Sequence, residues 1–462
     1  MKPKMFKLRM IKPKMNGPGI LKFFAVVFML LFITSNLPCR AGASGAAAAA
    51  GAGGFELEEN SPASFDPDPG QLEIFSWWTA PGEEQGLALL MESFQEEHTE
   101  MEVVNAAVEG GAGVNAKDVL KMRLLRGSPP DAFQVHAGAE LKETFVAGDY
   151  LHPLTSLWEE QGWQDLYPPE LKEMVRQDGE YYALPVTVHR ANRIWYDRRL
   201  LEKYDLSPPA SPEELVELLN ELDERGEPPL ALGSRNLWPT THIFEVLLAA
   251  VASPADYRSL VAGERSWQSP EVERTLEYLQ EILPHINEDH AGLSWHEACE
   301  LVREEEAALT VMGTWARGYF TAHGLEEGDD YGRAALQNQK TGEPVFQLVV
   351  DTFAMPAEAG NQGYTRSWLE FTARPDIQRQ FTEILGAVPP RSDIPEEELT
   401  SAIAAELREL RRRESVPSIV HGAAVREVFV SALNEKLNVF LYENDIDETL
   451  EELENIAEIY LR

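Results

Sequence analysis

An alternation that begins at Gln71 constrains this chain more than any other feature. Residues 72–75 read as a short buried strand, and 82–97 carry apolar residues at helical spacing. Residues 101–104 are again strand-like, 116–125 helical and 132–135 strand-like. Strands separated by helices predict a parallel α/β sheet with right-handed crossovers. The same grammar returns later without any internal sequence repeat. Ser211-Pro212-Glu213-Glu214 predicts a capping box opening a helix to about Arg225, and Ser294-Trp295-His296-Glu297 a second, running toward Glu306. Residues 307–312 read as a strand, and the chain from about Glu396 as almost wholly helical. At 462 residues the chain is too long for one growing core. Two α/β lobes with a helical carboxy-terminal region are therefore expected.

Charge separates the amino terminus from the rest. Residues 1–54 hold eight Lys and Arg and no Asp or Glu, which leaves 32 basic against 77 acidic residues beyond them, a charge of −45. Such a surface repels nucleic acid and anionic headgroups, so neither is an expected partner. The acidity fits adaptation to high salt and ordinary acidic drift equally. The basic stretch leads into an apolar run over 20–33, then Pro38, Cys39 and small residues, the layout of an export signal. The run is short for a membrane span, and a single-span anchor is the alternative. Residues 1–40 are expected to be a signal peptide and 41–70, small, acidic and proline-containing, a flexible tether. Cys39 stands where a lipidated amino-terminal cysteine would, but Asn36-Leu37-Pro38 before it lacks the small residues that signal prefers. Removal of the leader would leave Cys299 alone, without a disulfide or a thiolate metal site.

Catalytic signatures are missing. There is no His-Glu-x-x-His pair, no P-loop and no Gly-x-Ser-x-Gly turn. Gly110-Gly111-Ala112-Gly113 precedes a helix but lacks the phosphate-loop spacing, and reads as a turn. The ten histidines show no ligand spacing, and no local context pairs two carboxylates for glycoside hydrolysis. No metal, cofactor or catalytic residue is expected.

What remains is aromatic. Trp77-Trp78 follows the first strand and runs into Thr79-Ala80-Pro81-Gly82; Trp238 precedes Pro239, Trp295 opens a helix and Trp315 follows Met312-Gly313. Ligands of α/β sheets sit at the carboxyl ends of strands, where these residues fall. An indole packs its face on the C–H face of a pyranose and donates its N–H. Alternation forbids two adjacent strand residues from facing one core, which points Trp77-Trp78 away from simple core packing. It also places Gln134 and His136 on one side at the end of another strand, and Val188-His189-Arg190 repeats that placement.

Phe75-Ser76-Trp77-Trp78-Thr79-Ala80, Gly110-Gly111-Ala112-Gly113-Val114-Asn115-Ala116-Lys117, Pro129-Pro130-Asp131-Ala132-Phe133-Gln134-Val135-His136-Ala137-Gly138, Gly292-Leu293-Ser294-Trp295 and Val311-Met312-Gly313-Thr314-Trp315-Ala316 occur in that order. Together they resemble the glucose/galactose-binding branch of the extracellular solute-binding proteins of ABC importers, the wider family of maltose-binding protein. The resemblance spans about 71–462. It implies a type II periplasmic-binding-protein fold, two α/β lobes joined by a hinge that the chain crosses more than once. The lobes expected are 71–184 with 334–386, and 185–333 with 387–462. It implies a monomer that catalyses nothing, binds a monosaccharide such as glucose or galactose, and delivers it to permease subunits from the periplasm or the outer face of the membrane. An oligosaccharide ligand, a sensory receptor and a carbohydrate-active enzyme are the alternatives.

Carried over by position, the resemblance implies that Trp77, Trp78, Glu83, Gln134, His136, His189, Trp295, Trp315, Asp351 and His421 contact the ligand. Asp351 is expected to accept from two adjacent hydroxyls. The ring is expected between Trp77 of one lobe and Trp295 or Trp315 of the other, so that sugar favours the closed form. One position departs: Leu385 stands where the family usually carries a lysine before Gly386-Ala387-Val388-Pro389, and Arg391 is too displaced to replace it.

Overall fold

The computed structural model describes residues 70–109 and 114–462. The expected signal, tether, Cys39 and Gly110–Gly113 turn all lie outside the described residues. Among the described residues no helix is long and apolar enough to cross a membrane.

The strands in chain order are β1 (Gln71–Phe75), β2 (Glu102–Asn105), β3 (Ala132–His136), the hairpin pair β4 (Arg176–Gln177) and β5 (Glu180–Tyr181), and β6 (Ala183–Arg190). There follow β7 (Ile194–Asp197), β8 (Leu230–Ala231), β9 (Leu309–Val311), β10 (Tyr331–Ala334), β11 (Phe346–Ala354) and β12 (Ser415–Pro417). The first sheet runs β12-β11-β3-β1-β2, with β6 on the other edge of β11; the second runs β10-β7-β9-β8. β1 is parallel to β2 and β3, as the alternation predicts. β11 departs from it, lying antiparallel to both β3 and β6. A strand returning from the second half of the chain needs no local crossover helix, so it can enter in either direction.

Each sheet backs a separate apolar core. Leu72, Phe94, Phe133, Trp158, Phe353 and Trp368 belong to the first, and Trp195, Leu219, Phe244, Trp267, Leu309 and Phe429 to the second. β6 stays in the first sheet through Arg190 before the chain reaches β7. The chain returns at β11, and Ile403 and Leu407 of the helix Ser401–Arg412 still pack in the first core. The crossings thus fall later than residues 185, 334 and 387. β12, only three residues long and joined in parallel to β11, interrupts the region expected to be almost wholly helical.

Helix starts follow their caps. Ser294 Oγ accepts the Glu297 N–H at 3.3 Å while the Glu297 carboxylate accepts the Ser294 N–H at 2.7 Å, a complete box. At Ser211 the box is half made. Ser211 Oγ accepts from the Glu214 N–H at 3.2 Å, but the Glu214 carboxylate takes the Ala210 N–H instead, at 2.8 Å.

Where the chain passes between the cores, arginines converge on one acid. Arg193 grips Glu406 through two bonds of 3.0 and 2.6 Å, Arg317 adds one of 3.1 Å, and Arg333 stands 3.4 Å away. Burial pushes the Glu406 carboxyl up, but the charges of Arg193, Arg317 and Arg333 outweigh it and hold the group well below the usual range.

Candidate functional site

A small cavity of about 30 Å³ lies where the two cores face each other. Nine of the ten residues expected at a site line it: Trp77, Trp78, Glu83, His136, His189, Trp295, Trp315, Asp351 and His421. Gln134 does not. It is fully buried behind the wall, its Oε1 accepting the Trp77 N–H at 3.1 Å and its Nε2 donating to Asp351 at 2.8 Å.

Asp351 sits in the middle of β11, paired with His136 of β3 on one side and Thr187 of β6 on the other, at a register shift after residue 351. Register alone therefore gathers side chains from three strands. Gln134 donates to one carboxylate oxygen and Thr187 Oγ1 to the other, at 2.6 Å. His136 Nε2 and His189 Nε2 stand 3.6 Å from the two oxygens. A carboxylate has about four lone-pair sites, so two internal donors leave room for a ligand's hydroxyls.

The flanking groups are fixed from behind. His189 Nδ1 lies 2.9 Å from Thr314 Oγ1. His136 Nδ1 meets Glu140, whose other partner is Lys117 at 2.6 Å. Burial raises the Glu140 carboxyl, yet the Lys117 and His136 charges bring it down to about 2. Burial lowers His189 to about 4 against the pull of Asp351, and drives His421 well below its usual value. Both rings are neutral at pH 7, each with a nitrogen that donates and one that accepts. Glu83 goes the other way. Enclosure and then the nearby Asp351 charge push its carboxyl up to about 8, against the opposing N–H groups of Ala80 and Thr79. It is a neutral acid at pH 7 and so a hydrogen-bond donor.

The aromatic lining divides by core. Trp77 and Trp78 both pack in the first core, although alternation argued against it. They lie beyond the end of β1, where strand alternation no longer governs, and Trp78 folds edge-on against Phe353 and Phe381. Trp295 and Trp315 belong to the second core, each as the first residue of its helix. Trp238, also a first helical residue, joins the lining, as do Val349 and Leu385. The site residues named from sequence did not include these three, nor Thr187 behind the wall. Trp238 carried a signal, an indole beside a proline turn; Thr187 carried none, since only the β6–β11 register brings it to Asp351.

Leu385 covers Gly86, where an added Cβ would lie 2.0 Å from the leucine Cδ1. No lysine or arginine is among the lining residues. Arg391 is occupied elsewhere, with Asp393 and the Ala373 carbonyl. With the Asp351 carboxylate and no lysine or arginine in its lining, the cavity disfavours anions and suits a neutral polyol with an apolar face.

The model of the family described as bacterial extracellular solute-binding protein matches residues 69–379. The chain belongs to that family. An uncharacterised ABC transporter extracellular-binding protein of Pyrococcus horikoshii is 37% identical over 407 residues, covering 87% of this chain and 90% of that one. The xylose/arabinose-binding protein of Haloferax volcanii is 26% identical over 365 residues, 77% of each chain. Among solved structures, a bacterial solute receptor described as preferring β-D-galactopyranose superimposes with a TM-score of 0.75 at 17% identity, covering 85% of this chain and all of that one. A chitin oligosaccharide binding protein gives 0.74 at 19% identity, over 85% and 98%. These likenesses establish the type II binding-protein fold. Members of this extracellular family bind solutes and are not enzymes.

Proposed function

We propose that the chain is the sugar-binding component of an ABC importer and takes one pyranose ring between its two lobes. The observation that carries this reading is the lining itself. Five tryptophans surround the Asp351 carboxylate, beside which stand His136, a neutral His189 and a protonated Glu83. Indole faces suit the C–H faces of a sugar, and Asp351 suits two neighbouring hydroxyls. Trp77 from the first core, opposed by Trp295 or Trp315 from the second, would stack the ring only when the lobes close. The lobes in this reading are the two cores, and permease subunits recognise the closed form. The sugar-binding names of relatives agree with it.

One observation favours a second reading, a ligand of two rings. A neighbouring chamber of about 360 Å³ shares Trp77, Glu83 and Trp295 with the cavity and is lined beyond them by polar groups including Glu109, Asn115, Arg235 and His296. Titration of glucose, galactose, mannose, xylose, maltose and cellobiose, followed by tryptophan fluorescence in low and high salt, separates the two. Saturation by one monosaccharide supports the first reading, and by a disaccharide alone the second. Silence across the panel from folded protein would overturn both.

A further inference from the structure

The second-core wall holds a cluster of which the sugar reading uses only one member, His421. Helix Trp238–Val251 carries His242 and Glu245 three residues apart, on one face, and His421 arrives from the turn after β12. His242 and Glu245 are fully buried and His421 is 2% exposed. Their ligand atoms all lie within 4.8 Å of one another, and His242 Nδ1 is 3.5 Å from Glu245 Oε1.

Two features of this cluster are unusual for a buried site. Neither nitrogen of His242 has a hydrogen-bond partner among the described residues, nor does Nε2 of His421. Buried polar atoms are nearly always satisfied, so three in one place call for an occupant. The second feature is charge. Among the described residues Glu245 has no lysine or arginine partner, and its one ionisable contact within ion-pair distance is His242. Its Oε2 accepts the N–H groups of Ile419 and Val420 at 2.7 and 3.1 Å, and Ser418 Oγ reaches both oxygens. Those bonds orient the carboxylate and leave Oε1 facing the imidazoles.

We infer that His242, Glu245 and His421 form a binding site for a divalent transition metal, with zinc the best match. Two imidazoles and a carboxylate are a known zinc donor set, and three protein ligands leave a fourth position for solvent. Zinc bonds of about 2.0–2.2 Å place tetrahedral ligand atoms about 3.4 Å apart. The His242–Glu245 pair, at 3.5 Å, already meets that spacing, and the widest pair, up to 4.8 Å apart, must close by about 1.4 Å through side-chain rotation. Ser418 and the two backbone donors act as the outer shell that holds the ligating carboxylate. The ion balances the buried charge and satisfies the unpartnered nitrogens together. The sequence hides this site because His421 lies far along the chain from the helical pair.

The test uses the full chain without sugar, so its outcome is independent of the sugar reading. Protein is loaded with zinc, dialysed against excess magnesium to clear its acidic surface, and analysed for metal. One zinc per chain is expected, with a rise in Tm of a few degrees in excess zinc. Cobalt in place of zinc should give the visible absorption of a tetrahedral site. His242→Ala and Glu245→Gln should each weaken zinc affinity at least about tenfold. Should either variant fail to fold, the cobalt spectrum of the unmodified chain decides. Folded protein that retains under about one zinc in ten chains and gives no cobalt bands overturns the site. Undiminished zinc in a folded His242→Ala variant overturns it as well.

Discussion

On the first-core side of the cavity the polar groups sit on strands: Asp351, His136 and His189 are held by sheet register, and Gln134, Thr187 and Glu140 brace them from behind. On the second-core side the lining consists of three indoles, each at the first residue of a helix, with His421 from a turn. Direction is thus built into one wall and contact area into the other. A hydrogen bond fails with a small misplacement, whereas stacking tolerates sliding. A receptor whose walls approach and part does well to keep most of its hydroxyl-reading groups on one rigid sheet; here Asp351, His136 and His189 are so held, while Glu83 sits at a helix start and His421 on the opposite wall.

The sharpest way to break that division is Trp77→Ala, which removes the one indole of the first wall placed to oppose the second. Sugar binding should fall below detection by calorimetry while the circular dichroism stays unchanged; retained affinity would refute the sandwich. Asp351→Asn should weaken binding about a hundredfold or more, since a centrally placed charged acceptor is lost. A smaller loss for Asp351→Asn than for Trp315→Ala would mean that area, not direction, dominates.

Acidity offers a third probe. Binding should be flat between about pH 5 and 7 and should decline above about 8, where Glu83 ionises beside Asp351 and stops donating. It should decline again near pH 4 as His189 becomes charged. Stability should respond in the matching sense. The raised Glu83 makes the folded state bind the extra proton, so its contribution is lost as pH rises from 4.5 to about 8. The lowered Glu140 contributes stability above 4.5 that disappears as pH falls toward 2. Urea midpoints across pH would show whether these opposite slopes exist. The smallest effect expected is that of Thr187→Val, which frees one oxygen of Asp351 and should cost about 1 kcal/mol of sugar affinity, near fivefold. No change there would show that Gln134 and the flanking histidines alone fix the carboxylate.

Much of this could be read from the chain before folding. Strand ends followed by tryptophan, and the alternation of Gln134 with His136, are local signals; Glu83, Asp351 and His421 are marked only by the resemblance to the solute-binding family. Gln134 was placed on the correct strand and face, but its amide is used up by Trp77 and Asp351, a pairing across β11 that no local pattern encodes. β12 escaped because three residues between two helices carry no period. Thr187, His242 and Glu245 matter through partners far along the chain, and composition gives them no distinction. Leu385 was noticed only as a missing lysine; the structure adds that its side chain fills the space over Gly86.

The arginines around Glu406 have a further consequence in a molecule so short of basic residues. Surface acids in the remainder of the chain repel one another, and dissolved ions damp that repulsion over about 8–10 Å at ordinary ionic strength. Glu406 and Arg193 are nearly withdrawn from solvent, with side chains 1% and 7% exposed, so added salt barely reaches their attraction. The joint between the lobes should therefore keep the same stiffness from dilute buffer to brine while the outer surface relaxes around it. Hydrogen exchange at residues 191–194 should be unchanged across that range, even as exchange in the acidic outer helices slows.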